Sequence, residues 1–266
     1  MDYSKAIFNI RQQLENYLVE NKLKSLVIGL SGGIDSSLCT VLAAPVCRKL
    51  GIKLIGRSLT IETNKPDEIH RGRIIGENFC DDFAEIDLTQ AYFELKNSIE
   101  ESDIADENER EKKIRLGNIK VRIRMIYLYN LAQKYKGMVL STDNYTELLL
   151  GFWTLHGDVG DYGMIQPLWK TEVYEMSEFL IENELETTAQ KNALKRSVDA
   201  VPTDGLGITN SDLDQIQASS YYEVDTILKE FFVDEKHKNH PVIKRHLASE
   251  FKRKNPYNLS RKQIFE

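Results

Sequence analysis

Four apolar runs punctuate the chain as far as residue 141, at 25–30, 52–60, 82–87 and 137–141, and each leads into a stretch whose apolar residues recur every three or four positions. Runs of that length have the composition of buried strands, and the recurrence is that of amphipathic helices. Alternating β and α units predict an α/β fold: a three-layer, doubly wound parallel sheet with helices on both faces, followed by C-terminal helical segments. The chain starts on a helical pattern, because Tyr3, Ile7, Ile10, Leu14 and Tyr17 step by three and four, and no signal core is expected there. From about Asn118 to Tyr135 the helical pattern is apolar on most sides, with Val121, Ile123, Met125, Ile126, Leu128 and Leu131. A helix of that kind is buried in a core or against another subunit, and a homodimer is expected to form through it. Ser211 to Asp214 reads as a capping box opening one helix that runs towards Phe231. The turn-rich stretch between Val198 and Asn210 has no periodicity and is expected to be a loop that closes over a site.

The sharpest change in the pattern comes where Leu26-Val-Ile-Gly-Leu gives way to Ser31-Gly32-Gly33-Ile34-Asp35-Ser36-Ser37, before Leu38, Val41, Leu42 and Val46 resume at helical spacing. The turn therefore joins a strand end to a helix start. Such a start offers unpaired backbone N–H groups and the positive end of the helix dipole, and Gly32 and Gly33 let an anion approach without a Cβ in the way. Ser31, Ser36 and Ser37 add hydroxyl donors, while Asp35 among phosphates calls for a bridging divalent cation. No Lys-Ser/Thr pair closes the turn, and its glycine spacing is not that of a dinucleotide fingerprint. The plain alternative is a strand-to-helix turn with a serine cap. Ligands of parallel sheets bind beyond the carboxyl ends of the strands, where Ser141-Thr142-Asp143 would emerge beside this cradle.

At 266 residues the chain is expected to be one domain, 1–266, with a sizeable core. No apolar run approaches a membrane span, so no membrane partner is expected and a cytoplasmic location is. A net charge of −6 argues against a nucleic-acid partner. The charge is uneven: residues 100–111 are strongly acidic, whereas the tail from Lys236 carries Lys244, Arg245, Lys252, Arg253 and Lys254 among others. The acidic stretch reads as a solvated face or mobile loop, and the basic tail as a possible partner for a polyanionic nucleotide. Cys39, Cys47 and Cys80 suggest neither a disulfide framework nor a zinc site, but buried thiols.

The Ser-Gly-Gly-x-Asp-Ser cradle is similar to the pyrophosphate-binding loop of the PP-loop ATP pyrophosphatases, which have an adenine nucleotide alpha-hydrolase-like fold. Further segments resemble the ammonia-dependent NAD synthetases: Gly117-Asn118 to Arg122-Ile-Arg124-Met125, Ser141-Thr142-Asp143-Asn144 to Glu147, Gly151-Phe152-Trp153-Thr154, Gly157-Asp158-Val-Gly160-Asp161, Pro167-Leu168-Trp-Lys170-Thr171 and Val201-Pro202-Thr203. The resemblance implies adenylation of the nicotinate carboxylate of deamido-NAD by ATP, loss of pyrophosphate, and attack of ammonia on the mixed anhydride. It implies that Asp35 and Glu147 hold Mg²⁺, that Ser31, Gly32, Gly33, Ser36 and Ser37 bind pyrophosphate, and that Thr142, Lys170, Thr203 and Arg57 contact ATP. Asp35 and Lys170 would be the catalytic pair, and Arg122, Asp161 and Lys252 would meet deamido-NAD, Arg122 across the dimer interface. Each has a structural competitor: Thr142 or Asp143 as a helix cap, Lys170 as a surface lysine, Arg122 in an ion pair.

The departures fall on the acceptor side. Leu155 stands where the family has a lysine eight residues after the metal glutamate, with His156 beside it, and the Gly157–Asp161 segment is a residue shorter than the commonest form, which leaves the match of Asp161 ambiguous by one. Asp204-Gly205-Leu206 and Phe251-Lys252-Arg253 also differ from the short bacterial pattern. Amide-forming adenylation is therefore expected on deamido-NAD or, alternatively, on an acceptor such as nicotinate mononucleotide; a non-catalytic adenine-nucleotide-binding protein is the reading from another class. No glutaminase domain is expected, and ammonia would come free or from a separate partner.

Overall fold

The structure, a computed structural model, describes residues 1–62, 64–99, 107–158, 160–202 and 212–266. In chain order the elements are α1 (Tyr3–Glu20), β1 (Ser25–Gly29), α2 (Ile34–Leu50), β2 (Lys53–Thr60), α3 (Pro66–Phe79), β3 (Asp82–Asp87), α4 (Thr89–Ile99), α5 (Glu109–Lys134) and β4 (Met138–Val139). They are followed by α6 (Tyr145–Leu150), α7 (Lys170–Asn183), α8 (Thr188–Val198), α9 (Asp212–Ile216), α10 (Tyr221–Asp234), α11 (Pro241–Ala248), α12 (Glu250–Arg253) and α13 (Arg261–Phe265). The four strands form one sheet in the order β3-β2-β1-β4, and every pairing is parallel.

The two-residue period of the strands sorts their side chains between two helical layers. Leu26, Ile28 and Leu54 face a large cluster built on α2, with Ile7, Leu14 and Leu18 of α1 and Val173, Met176 and Leu180 of α7. Val27, Ile55 and Val139 face the other way, against Leu131 and Ala132 of α5. The three expected layers are present, with the strand ends of β1, β2 and β4 opening on the same edge. The thiols of Cys39 and Cys47 are buried and that of Cys80 is half-buried, all three unpaired.

Three details of the sequence reading change. The fourth strand is shorter than 137–141: the Leu140 N–H still donates to the Val27 carbonyl of β1 at 2.9 Å, but Leu140 then bridges to Tyr162 instead of continuing the ladder. The helix expected from Asn118 starts at Glu109, where Asn108 and Glu111 form a reciprocal capping box; within the single chain Ile126 on it is 59% exposed. The single helix expected to run from Ser211 to Phe231 is two, α9 and α10. Gln217 turns the chain at φ 52°, and the Ser220 hydroxyl caps the second helix by accepting from the Glu223 N–H at 3.2 Å; Ser211 lies outside the described residues.

The C-terminal helices make a separate cluster. Val224, Ile227 and Leu228 of α10 and Val242 and Ile243 of α11 pack on Leu149 and Leu150 of the short helix α6. Among the described residues no helix is long and apolar enough to cross a membrane.

Candidate active site

The turn after β1 is held open by its own side chains and by α3. Gly32 sits at φ +81°, and a Cβ there would lie 2.2 Å from the Glu68 carbonyl oxygen, so both the conformation and the contact require glycine. The Arg71 Nε donates to the Gly32 carbonyl at 2.8 Å. The Ser37 hydroxyl donates to the Gly33 carbonyl at 2.8 Å and bonds Ser197 of α8 at 2.9 Å, while the Ser31 and Ser36 hydroxyls lie 3.2 Å apart. Gly33 is the N-cap of α2 and supplies no side-chain cap. The start of this 17-residue helix is thus offered to an anion.

Against that start three charges from distant segments converge. Lys170, the first residue of α7 and 3% exposed, places Nζ 2.5 Å from Asp35 Oδ2 and 2.8 Å from Glu147 Oε1. Burial alone would lower the ammonium's pKa, but Asp35 and Glu147 override it and hold it well above its ordinary value. Burial and the charge of Asp35 push the Glu147 carboxyl upward, against the pull of Lys170. Lys170 is therefore no surface lysine. Asn144, not Thr142 or Asp143, caps α6: its side chain accepts from the Glu147 N–H at 3.0 Å and donates to Asp35 Oδ1 at 2.8 Å. Asp143 is buried beside the Ser141 hydroxyl, and burial, with the nearby charges of Asp158 and Asp35, raises its pKa to about 7.

Two converging carboxylates with hard oxygen donors, beside an open helix start, fit a magnesium ion that arrives with a triphosphate, because Mg²⁺ is commonly held by one or two carboxylates plus substrate phosphates. Asp35 and Glu147 are the residues that would hold it.

The cleft has a volume of about 440 Å³ and runs from the cradle, past Thr142, to Arg124, Asp158 and Lys252. Arg124 is half-buried, and desolvation lowers its pKa; it donates to the Leu59 carbonyl at 3.1 Å and to Asn64 Oδ1 at 2.9 Å. Asp158 accepts from the Thr154 N–H at 2.6 Å, and burial raises its pKa. Lys252 donates to the carbonyls of Gly151, at 2.7 Å, and Trp153; burial and the neighbouring Arg245 lower its pKa.

The structure brings together the cradle, Asp35, Thr142, Glu147, Lys170 and Lys252 of the expected residues. Arg57 lines the cleft, but its guanidinium is paired with Asp82 of β3 at 2.8 Å. Arg122 lies on the exposed side of α5 and donates to the Leu155 carbonyl at 3.1 Å. Asp161 is also outside the cleft lining: it accepts from the Val139 N–H and the Tyr129 hydroxyl, each at 2.9 Å. Asp158, three residues earlier, takes the inward position. Thr203 and the loop expected to close over the site fall largely outside the described residues.

Sequence reasoning placed Arg124, Asn144 and Asp158 in the resembling segments without giving them a role, and it passed over Arg71. For Arg124 a signal existed: Asn118, Val121, Met125 and Leu128 line the cleft at helical spacing, and Arg124 shares that stripe. Arg71 lies in a segment with no chemical signature, and nothing in its spacing points to Gly32.

With this geometry in hand, comparison with known proteins is specific. The NAD synthase family model matches residues 6–265. An NH(3)-dependent NAD(+) synthetase of Thermoplasma volcanium is 32% identical over 269 aligned residues, covering 97% of this chain and 98% of that protein. Among solved structures, the NMN synthetase of Francisella tularensis has a TM-score of 0.77 at 25% identity and covers 98% of both chains. The NH3-dependent NAD synthetase of Campylobacter jejuni has a TM-score of 0.72 at 22% identity, covering 98% of this chain and 100% of that one, a likeness of fold. The chain belongs to the NAD synthase family, amide-forming ligases whose ammonia-dependent members it matches from end to end.

Proposed function

We propose that this chain converts the nicotinate carboxylate of deamido-NAD to the amide of NAD, using ATP and ammonia and releasing AMP and pyrophosphate. The observation that carries the reading is the meeting of Asp35, Glu147 and Lys170 at the uncapped start of α2. A carboxylate is a poor acyl donor; when its oxygen attacks the α-phosphorus the bond to the β-phosphate bridge breaks, and AMP becomes the leaving group for ammonia. Charge grows on phosphate oxygens, so the protein has to supply cations and N–H donors rather than a nucleophile. The cradle amides and the hydroxyls of Ser31, Ser36 and Ser37 bind the departing pyrophosphate, and Lys170 is the cation beside it. Asp35 and Glu147 would hold Mg²⁺, which when bound would supply charge neutralisation at those oxygens. Thr142 and Thr203 contact ATP, and Lys252 and Asp158 face the acceptor.

The similarity to ammonia-dependent relatives over their whole length supports free ammonia as the nitrogen source. Packing a second copy on α5, where Ile126 is exposed, is the arrangement in which Arg122 would reach a substrate, and we propose a homodimer through that helix. The lack of a long apolar helix among the described residues is consistent with work in the cytoplasm.

A second acceptor, nicotinate mononucleotide, is favoured by two observations: the likeness to a solved NMN synthetase, and Leu155 in place of a lysine. The purified protein with ATP, Mg²⁺ and ammonium, given each acceptor in parallel, decides between them. NAD in step with AMP from deamido-NAD is the expected result; amide and AMP from the mononucleotide alone would move the acceptor to the smaller substrate, and AMP from neither would contradict the reading.

A further inference from the structure

Asp225 lies in α10, outside every segment that carries the nucleotide chemistry, and it is 1% exposed. A carboxylate at that depth has to be matched by donors. Its Oδ1 accepts from the Thr146 hydroxyl at 2.6 Å and its Oδ2 from the Thr171 N–H at 3.0 Å. The Thr146 oxygen in turn accepts from the Lys170 N–H at 2.9 Å. The first two amides of α7, which have no partner within the helix, therefore end on Asp225, one directly and one through a single hydroxyl. Tyr221, one turn earlier on the same face of α10, sets its ring 5.3 Å from Lys170 Nζ. Thus α10 reaches the Lys170 backbone through Thr146 and lies against its ammonium through Tyr221.

The neighbours make the consequence specific. Thr146 directly precedes Glu147, and Thr171 directly follows Lys170. Lys170 is a cation at a helix start, where the dipole disfavours it, and a carboxylate beneath that start offsets the penalty. The apolar contacts of Val224, Ile227 and Leu228 with α6 hold the helices together but are tolerant of sliding; two directional bonds to one carboxylate are not.

We propose that Asp225 is a positioning residue that ties the start of α6 to the start of α7 and so sets the spacing at which Glu147 and Lys170 meet Asp35. This rests on the reading that Asp35 and Glu147 receive Mg²⁺ with ATP. The test is the rise in melting temperature of the full chain in saturating ATP as Mg²⁺ is titrated, for the unaltered protein, Asp225→Asn, Thr146→Val, Thr146→Ser and the Asp225→Asn/Thr146→Val pair. Partners that orient a metal ligand change metal affinity by about 10- to 100-fold. Asp225→Asn and Thr146→Val are expected to need about tenfold more Mg²⁺ or above for half the rise. Thr146→Ser, which keeps the hydroxyl, stays near the unaltered midpoint, and the pair is no worse than its worse single variant, as for one shared network. A brace without a positioning role lowers the melting temperature in buffer and leaves the Mg²⁺ midpoint where it was; that result overturns the proposal. If Asp225→Asn does not fold, the contrast between Thr146→Val and Thr146→Ser decides it. A normal response of the unaltered protein with unshifted variants overturns this proposal alone, whereas no Mg²⁺-dependent rise in the unaltered protein overturns the functional reading with it.

Discussion

The turn after β1 and the short helix α6 supply facing walls of the same cleft, yet they are held in opposite ways. The turn is fixed largely by its own seven residues: Gly32 takes the left-handed conformation, and Ser36 and Ser37 bond back to the Gly33 carbonyl. Helix α6 has six residues, too few to be stable alone, and it is fixed from a hundred residues away. The Leu149 carbonyl accepts from Arg253 at 2.7 Å and His246 at 2.9 Å, the Leu150 carbonyl from Arg245 at 2.9 Å, and the Gly151 carbonyl from Lys252 at 2.7 Å. Four side chains of the tail thus donate to the carbonyl end of α6, three of them cations, while Asp225 anchors its other end. The lesson is that one wall is written locally and the other is assembled by the fold.

Charge changes at the meeting point of the two walls are expected to have the largest effect. Asp35→Asn, on the local wall, and Glu147→Gln, on the assembled one, should each lower the rate of AMP formation by about 100- to 1,000-fold, read by quantifying AMP under saturating ATP and Mg²⁺. Near-normal turnover from either would remove that residue from the proposed machinery.

Asp143 sharpens the comparison through pH. Its carboxyl has an ordinary pKa of 3.8 and is raised to about 7 in the fold, first by burial and then by Asp158. Between those values the folded chain holds a proton that the unfolded chain has lost, so this group makes stability fall as pH rises from about 4 to about 7. Replacement by Asn should flatten that slope and stabilise the protein at pH 8 by up to about 4 kcal/mol, measured as denaturant midpoints across the range. An unchanged slope would mean that Asp143 is ionised throughout.

The smallest effect separates bracing from chemistry. Arg253→Met keeps an unbranched apolar stem and removes the donors to the carbonyls of Leu149 and His246. It should cost about 1 kcal/mol of stability, seen in urea unfolding, with kcat per folded molecule changed less than threefold by either acceptor assay. A loss as large as that of Glu147→Gln would make the tail part of the reacting centre.

Much of this was legible before any coordinates. Ser31 to Ser37 and the places of the four strands follow from local pattern, because strand, turn and helix start are consecutive in the chain, whereas the roles expected of Asp35, Glu147 and Lys170 rest on the family resemblance. The reading failed where the reason is not local. Thr142 and Asp143 look like caps as much as Asn144 does, and what selects Asn144 is its reach to Asp35, 109 positions away. In the basic tail, Arg245 and Lys252 line the cleft, but what their charges, with that of Arg253, bond in the fold are the carbonyls at the end of α6, which nothing in the tail's own sequence announces. Helices α9 and α10 look continuous because their apolar spacing continues across Gln217 to Ser220, and after the break α10 turns Tyr221 to Lys170 and Asp225 to Thr146 and Thr171.

The central claim is that the acceptor carboxylate is adenylated at the cradle. The most direct measurement uses acceptor labelled with ¹⁸O in the carboxylate and mass analysis of the products after turnover with ATP, Mg²⁺ and ammonium. The account predicts one ¹⁸O atom in AMP and none in pyrophosphate, since the attacking oxygen stays on the α-phosphorus when ammonia takes the acyl carbon. Unlabelled AMP alongside amide product would contradict it.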